Sequence, residues 1–344
     1  MKTLNHLSPS NALSVESCLL KEIWSSEKKI RRLPVHPAAW LGIVSHSVLE
    51  KATKGQIQDK SSFDNAWIGA VSSVEKQMKQ SYPDSHLVPL SKSSRFYEVK
   101  KIMTWKTIRG ILESSGAYGT HQAVSAEQWL HSKDRKIIGR VDLVRTSSEN
   151  VEIVDYKTGR IKDDLDNIKE AYKLQMHAYA ALYHETTSRW PTRLTLIGLD
   201  GSKYNVSFTE EDCETLLNKM RELIDHVNKK ILSGATEQDM ADPSPNVCSF
   251  CQYRVDCMSY WKARGDTGQW PNDIRGKVTE QTISTSGLVR VVIDTEDGMK
   301  VVRGLSKRHG LIDVESKELV LCNLTKDITK DHFIENYMTI CYQF

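Results

Sequence analysis

No run of apolar residues in this sequence approaches the about 18 needed for a helix to cross a membrane. A membrane role is therefore not expected. The opening MKTLNHLSPSN carries one lysine and no apolar core, so it lacks the form of an export signal. A cytoplasmic location follows as the expectation. In that reducing setting the seven cysteines are better read as metal ligands than as disulfides. No internal repeat or low-complexity tract is present, which excludes a solenoid. Strong bulk charge is also missing. A net charge of +3 over 344 residues is too small to imply nucleic-acid binding alone, so any basic surface must be local. Neither GRIKDD nor GLSKRHG has the G-x-x-x-x-G-K-[ST] form of a phosphate-binding loop. A nucleotide-driven motor is excluded on that ground.

What is present is an ordinary globular balance, 39% hydrophobic and 26% charged, in a chain long enough for one large domain and one small one. Residues 11–30 predict a helix with its apolar stripe through Val15, Leu19, Ile23 and Trp24. Residues 38–53 predict a second, and 62–81 a third with Ala66, Ala70, Val74 and Met78 at helical spacing. The stretch KSSRFYEVKKIMTWK opens as a loop and continues as a helix. From about 122 the period changes: AVSAEQWLHS, KIIGRVDLVR and NVEIVDYKTG read as three consecutive strands. DNIKEAYKLQMHAYAALYHE predicts a helix, RLTLIGLD a strand, and FTEEDCETLLNKMRELIDHVNKKILSG a long amphipathic helix opened by a Thr-x-x-Asp cap. ATEQDMADPSPN reads as a loop. After Trp270-Pro271 short β-rich runs alternate with Gly, Asp and Ser turns, the pattern of a small β-barrel of about five strands, compatible with an OB-type fold. The expected domains are thus 1–270 and 271–344.

The stretch IIGRVDLVRTSSENVEIVDYKTGR is the most informative. It places Asp142 on one strand and Asp155 with Lys157 on the next. Residues two apart on a strand share a face, so Asp155 and Lys157 project together and Tyr156 projects away. Two carboxylates beside a lysine suit a hard divalent cation and an attacking water. Spacing alone leaves a solvated surface hairpin equally open. A second pattern is C-x2-C-x5-C at Cys248, Cys251 and Cys257, three ligands of an all-sulfur site whose fourth is not set by spacing. Such a ligand set suits either an iron–sulfur cluster or Zn2+.

GRVDLV followed by VDYKTG resembles motifs II and III of the PD-(D/E)xK nuclease superfamily, in its RecB-type branch. LGIVSHSVLEKA matches that branch's G-x-x-x-H-x-x-L-E pattern through Gly42, His46, Leu49 and Glu50. LQMHAYAALY matches its Q-x-x-x-Y pattern through Gln175 and Tyr179, four apart on one helical face. Glu127, in SAEQWL, sits where related nucleases often carry an acidic strand residue. The resemblance covers about 15–260 and implies an α/β, restriction-endonuclease-like core: a central mixed sheet flanked by helices. It implies that His46, Asp142, Asp155 and the Tyr156 carbonyl hold Mg or Mn, that Lys157 positions the water, and that Gln175 and Tyr179 steady the substrate and the lysine. Nucleases of this branch, including CRISPR-associated ones and the AddB helicase-nuclease subunit, carry one cysteine ahead of the first motif and three after the core. By that likeness Cys18 joins Cys248, Cys251 and Cys257 around a [4Fe–4S] cluster, with structural Zn as the alternative.

DNA as substrate follows from the resemblance. KSSRFYEVKKIMTWK mixes Lys100, Lys101 and Lys106 with Trp105, cations and a ring of the kind single-strand binding uses. A solvated helix with its rings in the core fits the same residues. The final segment carries as many acidic as basic side chains, so it is as suited to a helicase or other protein partner as to DNA. The expected function is a metal-dependent DNA nuclease, a single-strand exonuclease in repair, recombination or defence against foreign DNA. The alternative is a non-catalytic DNA-binding or assembly subunit that keeps the fold.

Overall fold

The computed structural model describes residues 1–11, 17–117, 123–265, 268–327, 329–330 and 332–344. The chain divides into two compact units. One comprises Met1–Glu27, Pro37–Met78 and Val88–Met240; the other comprises Lys28–His36, Lys79–Leu87 and Ala241–Phe344. Among the described residues no helix is long and apolar enough to cross a membrane.

In the first unit, helix α1 runs Leu19–Ser26. This is shorter than the 11–30 expected, because Glu27 caps it and Lys28 turns left-handed at φ 56°. Val15 lies outside the described residues. Helix α2 (Pro37–Thr53) buries Trp40, Leu41, Val44 and Val48, and α3 (Lys60–Gln80) buries Phe63, Trp67, Ala70, Val74 and Met78. Helix α4 (Tyr97–Ala117) follows. Strands β1 (Ala123–His131), β2 (Ile138–Thr146), β3 (Val151–Lys157), β4 (Arg193–Gly198) and β5 (Lys203–Asn205) form one sheet in that order. Only β3 and β4 pair in parallel. A parallel neighbour needs a crossover, and α5 (Glu170–Thr187) supplies it. The mixed sheet with helices around it is an α/β architecture, as expected. Helix α6 (Glu210–Leu232) begins where the Thr209 side chain accepts the Asp212 N–H at 3.0 Å. Three acids in its first turn and two lysines in its last suit the helix dipole. The segment 235–246, loop-like in composition, contains the single turn Glu237–Met240 and the start of another helix at Pro245.

The second unit carries a seven-stranded sheet, two strands more than the sequence suggested. Its strands are β6 (Ile274–Ile283), β7 (Val289–Thr295), β8 (Gly298–Leu305), β9 (Glu318–Cys322), β10 (Thr325–Asp327), β11 (His332–Ile334) and β12 (Ile340–Gln343). Their order is β10-β11-β8-β7-β6-β9-β12. No pairing joins β10 to β12 among the described residues, so the described strands do not close into a barrel. Ile274, Val291, Ile293, Val302, Leu319 and Leu321 fill its core. The segment after Cys248 is tied to this sheet by a buried charge network. Arg254 grips Asp273 in bidentate fashion at 2.7 and 3.1 Å and reaches Asn323 at 2.6 Å, while Tyr260 donates to the same carboxylate at 2.9 Å. Each buried charge here has its partner, the condition on which burial is tolerated.

Candidate active site

Strand β2 pairs antiparallel with β3 through Leu143↔Val154 and Arg145↔Glu152. The alternation of strand faces then puts Asp142 on the same side as Asp155 and Lys157. The Tyr156 N–H donates to Asp142 Oδ2 at 2.7 Å, so this carboxylate also ties the two strands together. Helix α2 brings His46 up to the pair, with Nδ1 3.7 Å from Asp142 Oδ2. Gly42, one turn earlier, makes that approach possible: a Cβ there would lie 3.0 Å from Thr158 Oγ1, just past the end of β3.

Lys157 is held on three sides. Its Nζ lies 2.8 Å from Asp155 Oδ2, bonds Gln175 Oε1 at 2.5 Å, and stands 4.5 Å from the centre of the Tyr172 ring. Gln175 in turn donates to the Tyr179 hydroxyl at 3.1 Å, and that hydroxyl donates to the Arg140 carbonyl at 2.9 Å. The chain from Lys157 to the backbone of β2 therefore has no loose link, and Gln175 and Tyr179 are both buried. The i, i+4 spacing on α5 lets the two side chains meet. Gly139 gives the Tyr179 ring its seat, since a Cβ there would come within 2.8 Å of Cε1.

The electrostatics are those of a site short of positive charge. Burial, and then the charge of Asp155, push Asp142 well above the usual carboxylate range, against the Tyr156 N–H that favours its ionised form. Burial likewise pushes His46 down despite Asp155 nearby. Asp155 Oδ2 is buried and makes no hydrogen bond of good geometry among the described residues, although Lys157 Nζ is in ion-pair range. Buried Asp155 and half-buried Asp142, with an imidazole alongside, fit a hard divalent cation that keeps waters and shares substrate phosphate. Among the described residues no three His, Cys, Asp or Glu side chains form a ready-made metal cage.

Glu127, expected as an acidic strand residue, does reach the site, and two further neighbours, Trp129 and Tyr172, escape motif spacing. Glu127, on β1, stands at φ 56°, unusual for a non-glycine residue in a strand, and its half-buried carboxylate contacts Arg140 Nε. Its charge also reaches Asp142. Trp129 pairs across the strands with Arg140, whose guanidinium lies 5.8 Å from the ring centre, and Trp129 is 63% exposed. Tyr172, three residues before Gln175, could have been found as an aromatic on the same helical face.

The other predicted residues are placed apart. Lys100 bonds the Thr158 carbonyl beside the site, while Lys101 pairs with Asp64 at 2.9 Å. Trp105 packs on Phe63 with ring centres 5.0 Å apart, and Lys106 is exposed and lines a separate cavity. These four do not share one face. Glu50 pairs with Lys54. Cys18 caps α1 in the first unit, whereas Cys248 and Cys251 are buried and Cys257 half-buried in the second.

The profile of the PD-(D/E)XK nuclease superfamily matches residues 6–258. Among curated proteins the chain is similar to the CRISPR-associated exonuclease Cas4 of Francisella tularensis subsp. novicida (strain U112). The two are 30% identical over 128 residues, 37% of this chain and 59% of that relative. The chain thus spans less than two thirds of the relative's length. Two solved structures share weak likeness. One is described as "Crystal structure of SSO0001", with 13% identity, 76% of this chain and 89% of that one covered, and a TM-score of 0.30. The other is "Structure of murine DNA binding protein bound with ds DNA", with 10% identity, coverage of 64% and 94%, and a TM-score of 0.20.

Proposed function

The chain belongs to the PD-(D/E)XK nuclease superfamily, and from that premise we propose that it is a metal-dependent DNA nuclease acting as an exonuclease on single strands. The observation that carries the reading is the convergence of Asp142, Asp155, Lys157, Gln175 and Tyr179 on one face of the sheet. A divalent cation, Mg or Mn, held by Asp142 and Asp155 with His46 and the Tyr156 carbonyl beside them, would polarise the phosphoryl group and make a bound water acidic. Lys157 orients the attacking water and offsets charge gathering on the phosphate. Gln175 fixes the direction of the ammonium, and Tyr179 anchors Gln175 to the β2 backbone. Exposed Trp129 offers a base a stacking surface beside Asp142, which supports the single-strand preference.

Cys18, Cys248, Cys251 and Cys257 are assigned to a [4Fe–4S] staple, with Zn2+ as the competing occupant. The C-x2-C-x5-C spacing supports this. Residues 1–270 form the nuclease domain on this reading. Residues 271–344 act as an OB-like module that docks a strand, a helicase or another protein. The setting is DNA repair, recombination or antiviral defence in the cytoplasm.

The test is an assay on end-labelled single-stranded and duplex DNA, using anaerobically purified protein with Mg2+ or Mn2+, EDTA, and the Lys157→Ala variant. Wild type that shortens single strands in metal, beside an inert variant that still binds DNA, supports the assignment. Equal DNA binding with no cleavage by either protein would make the chain a binding or assembly subunit instead.

A further inference from the structure

The face of the first sheet opposite Asp142 and Asp155 carries a cavity of about 410 Å³, lined by Lys106, Arg109, Arg145, Tyr156, Asp200 and Lys203 among others. Its floor is built by strand register. Tyr156 pairs with Ile197, and Ile197 with Lys203, so these three side chains stand in line across β3, β4 and β5. Arg145 pairs with Glu152 and shares their face through the same alternation. Helix α4 closes one wall, anchored where the Thr107 hydroxyl donates to the Leu199 carbonyl at 2.9 Å.

Two properties set this cavity apart. Tyr156 is 2% exposed, yet its hydroxyl has no hydrogen-bond partner among the described residues. A buried hydroxyl left in that condition is uncommon, and a ligand or a water normally completes it. The charges are also unbalanced. Arg145 is taken up by Glu152 at 2.9 Å, and Asp200 sits near Lys106 while accepting from Ser202. Arg109 and Lys203 have no ion-pair partner among the described residues. Glu113, the other acid of the lining, is exposed. A phenolic donor with a guanidinium and an ammonium in excess is the donor set of an oxyanion site. The volume suits a ligand larger than a bare anion.

We propose that this cavity is a second, non-catalytic site that binds the phosphate of a nucleotide, either a free mononucleotide or the 5′-phosphate end of a strand. The choice of a nucleotide rests on the nuclease reading, since exonucleolytic cleavage releases mononucleotides, whereas the anion site stands on the cavity itself. Binding is read without turnover, so failure here is separate from failure of the nuclease assignment.

The experiment titrates the full chain in EDTA with dAMP, deoxyadenosine, inorganic phosphate and a 5′-phosphorylated oligonucleotide. We expect saturable binding of dAMP and none of deoxyadenosine. Arg109→Ala combined with Lys203→Ala weakens dAMP at least tenfold, while Lys157→Ala binds it as wild type does. Tyr156→Phe, which keeps the ring, raises the Tm of the free protein and shrinks the Tm rise that dAMP produces. Competition by the oligonucleotide, lost in the Arg109/Lys203 variant, identifies a strand end as the source; no competition identifies the free nucleotide. The proposal is overturned if deoxyadenosine binds as well as dAMP, if inorganic phosphate binds as tightly as dAMP, or if the double variant binds dAMP undiminished.

Discussion

Gly139→Ala adds one methyl group and tests the support of the site without touching a charge. The new Cβ would lie 2.8 Å from Tyr179 Cε1 and 2.9 Å from Cδ and Cγ of Pro9. Carbon atoms in contact rest at about 3.5–4.0 Å, so roughly 0.6–1.2 Å must be found on both sides, by Tyr179 and Pro9 or by the strand between them. The Tyr179 ring is 5% exposed and its hydroxyl is tied to Arg140 and Gln175, so it has little room to yield. Overpacking of this kind costs about 1–3 kcal/mol, or roughly 2–12 °C in Tm for a domain of this size. A displaced Tyr179 frees Gln175, and with it the direction of the Lys157 ammonium. Misplacement by about 1 Å can cost up to roughly 100-fold in rate, so DNA cleavage should fall about 10–100-fold with DNA binding retained. Gly69→Ala is the matched control. It adds the same methyl inside α3, where nothing lies within 4 Å, and should stabilise the protein by about 0.5–1 kcal/mol. The two variants are compared by thermal melts and by initial rates on a labelled single strand. An unchanged melt and full rate for Gly139→Ala would refute the close approach. A lowered Tm with full rate would remove support for Tyr179 as a positioning residue.

Trp129→Ala should raise KM for single-stranded DNA about tenfold, the worth of one stacked base, with kcat and Tm nearly unchanged because the ring is exposed; an unaltered KM removes it from the substrate path. Glu335 gives a pH signature in the second unit. Burial raises its carboxyl, but His309, the Ser306 N–H and Arg308 outweigh that and bring it down to about 2 from the usual 4.5. Its contribution, about 1–2 kcal/mol once solvent screening of a half-buried carboxyl is allowed for, is therefore fully present above pH 4.5 and is lost as pH falls through about 2. Denaturant melts of Glu335→Gln should show that deficit at pH 7 and converge on wild type near pH 2, and a deficit independent of pH would contradict the account. Anaerobically purified protein should be brown and Cys251→Ser pale. Colourless wild type carrying stoichiometric zinc would replace the cluster with Zn2+, whose filled d shell absorbs no visible light.

The β2–β3 hairpin was legible because β-branched runs alternate in period two on both sides of a polar turn, which puts Asp155 and Lys157 on one face; the strand register that adds Asp142 came from the structure. Gln175 and Tyr179 were legible only through the resemblance's Q-x-x-x-Y pattern, whose four-residue spacing puts them on one helical face. What escaped did so for physical reasons. Glu127 was named by the resemblance, but the left-handed backbone by which it reaches the site is one that no local pattern announces. In β6 the register slips between Val278 and Glu280, which breaks the alternation that marks a strand, and β5, β10 and β11 have only three residues each. Lys101 and Trp105 belong to a basic, aromatic stretch by composition, yet Asp64 and Phe63 of α3 engage them. Composition cannot say which face a side chain takes.

Asp142 shows why the site holds its shape without relying on the cation for its architecture. One of its oxygens accepts the Tyr156 N–H, a bond that joins β2 to β3 whether or not a metal is bound. Lys157 is likewise fixed by Gln175 and Tyr172 as well as by Asp155. The cost of setting Asp142 beside Asp155 therefore falls on the ionisation of Asp142, which burial and its neighbour oppose, while the strand pairing is kept. A site so arranged is preorganised: on the proposed reading a cation bound there would favour the ionised form of Asp142 and would not have to assemble Lys157, Gln175 and Tyr179, which already hold one another. Removing the metal should then abolish cleavage while leaving the fold of the first unit intact, and replacing Gln175 should reduce the rate with metal affinity little changed.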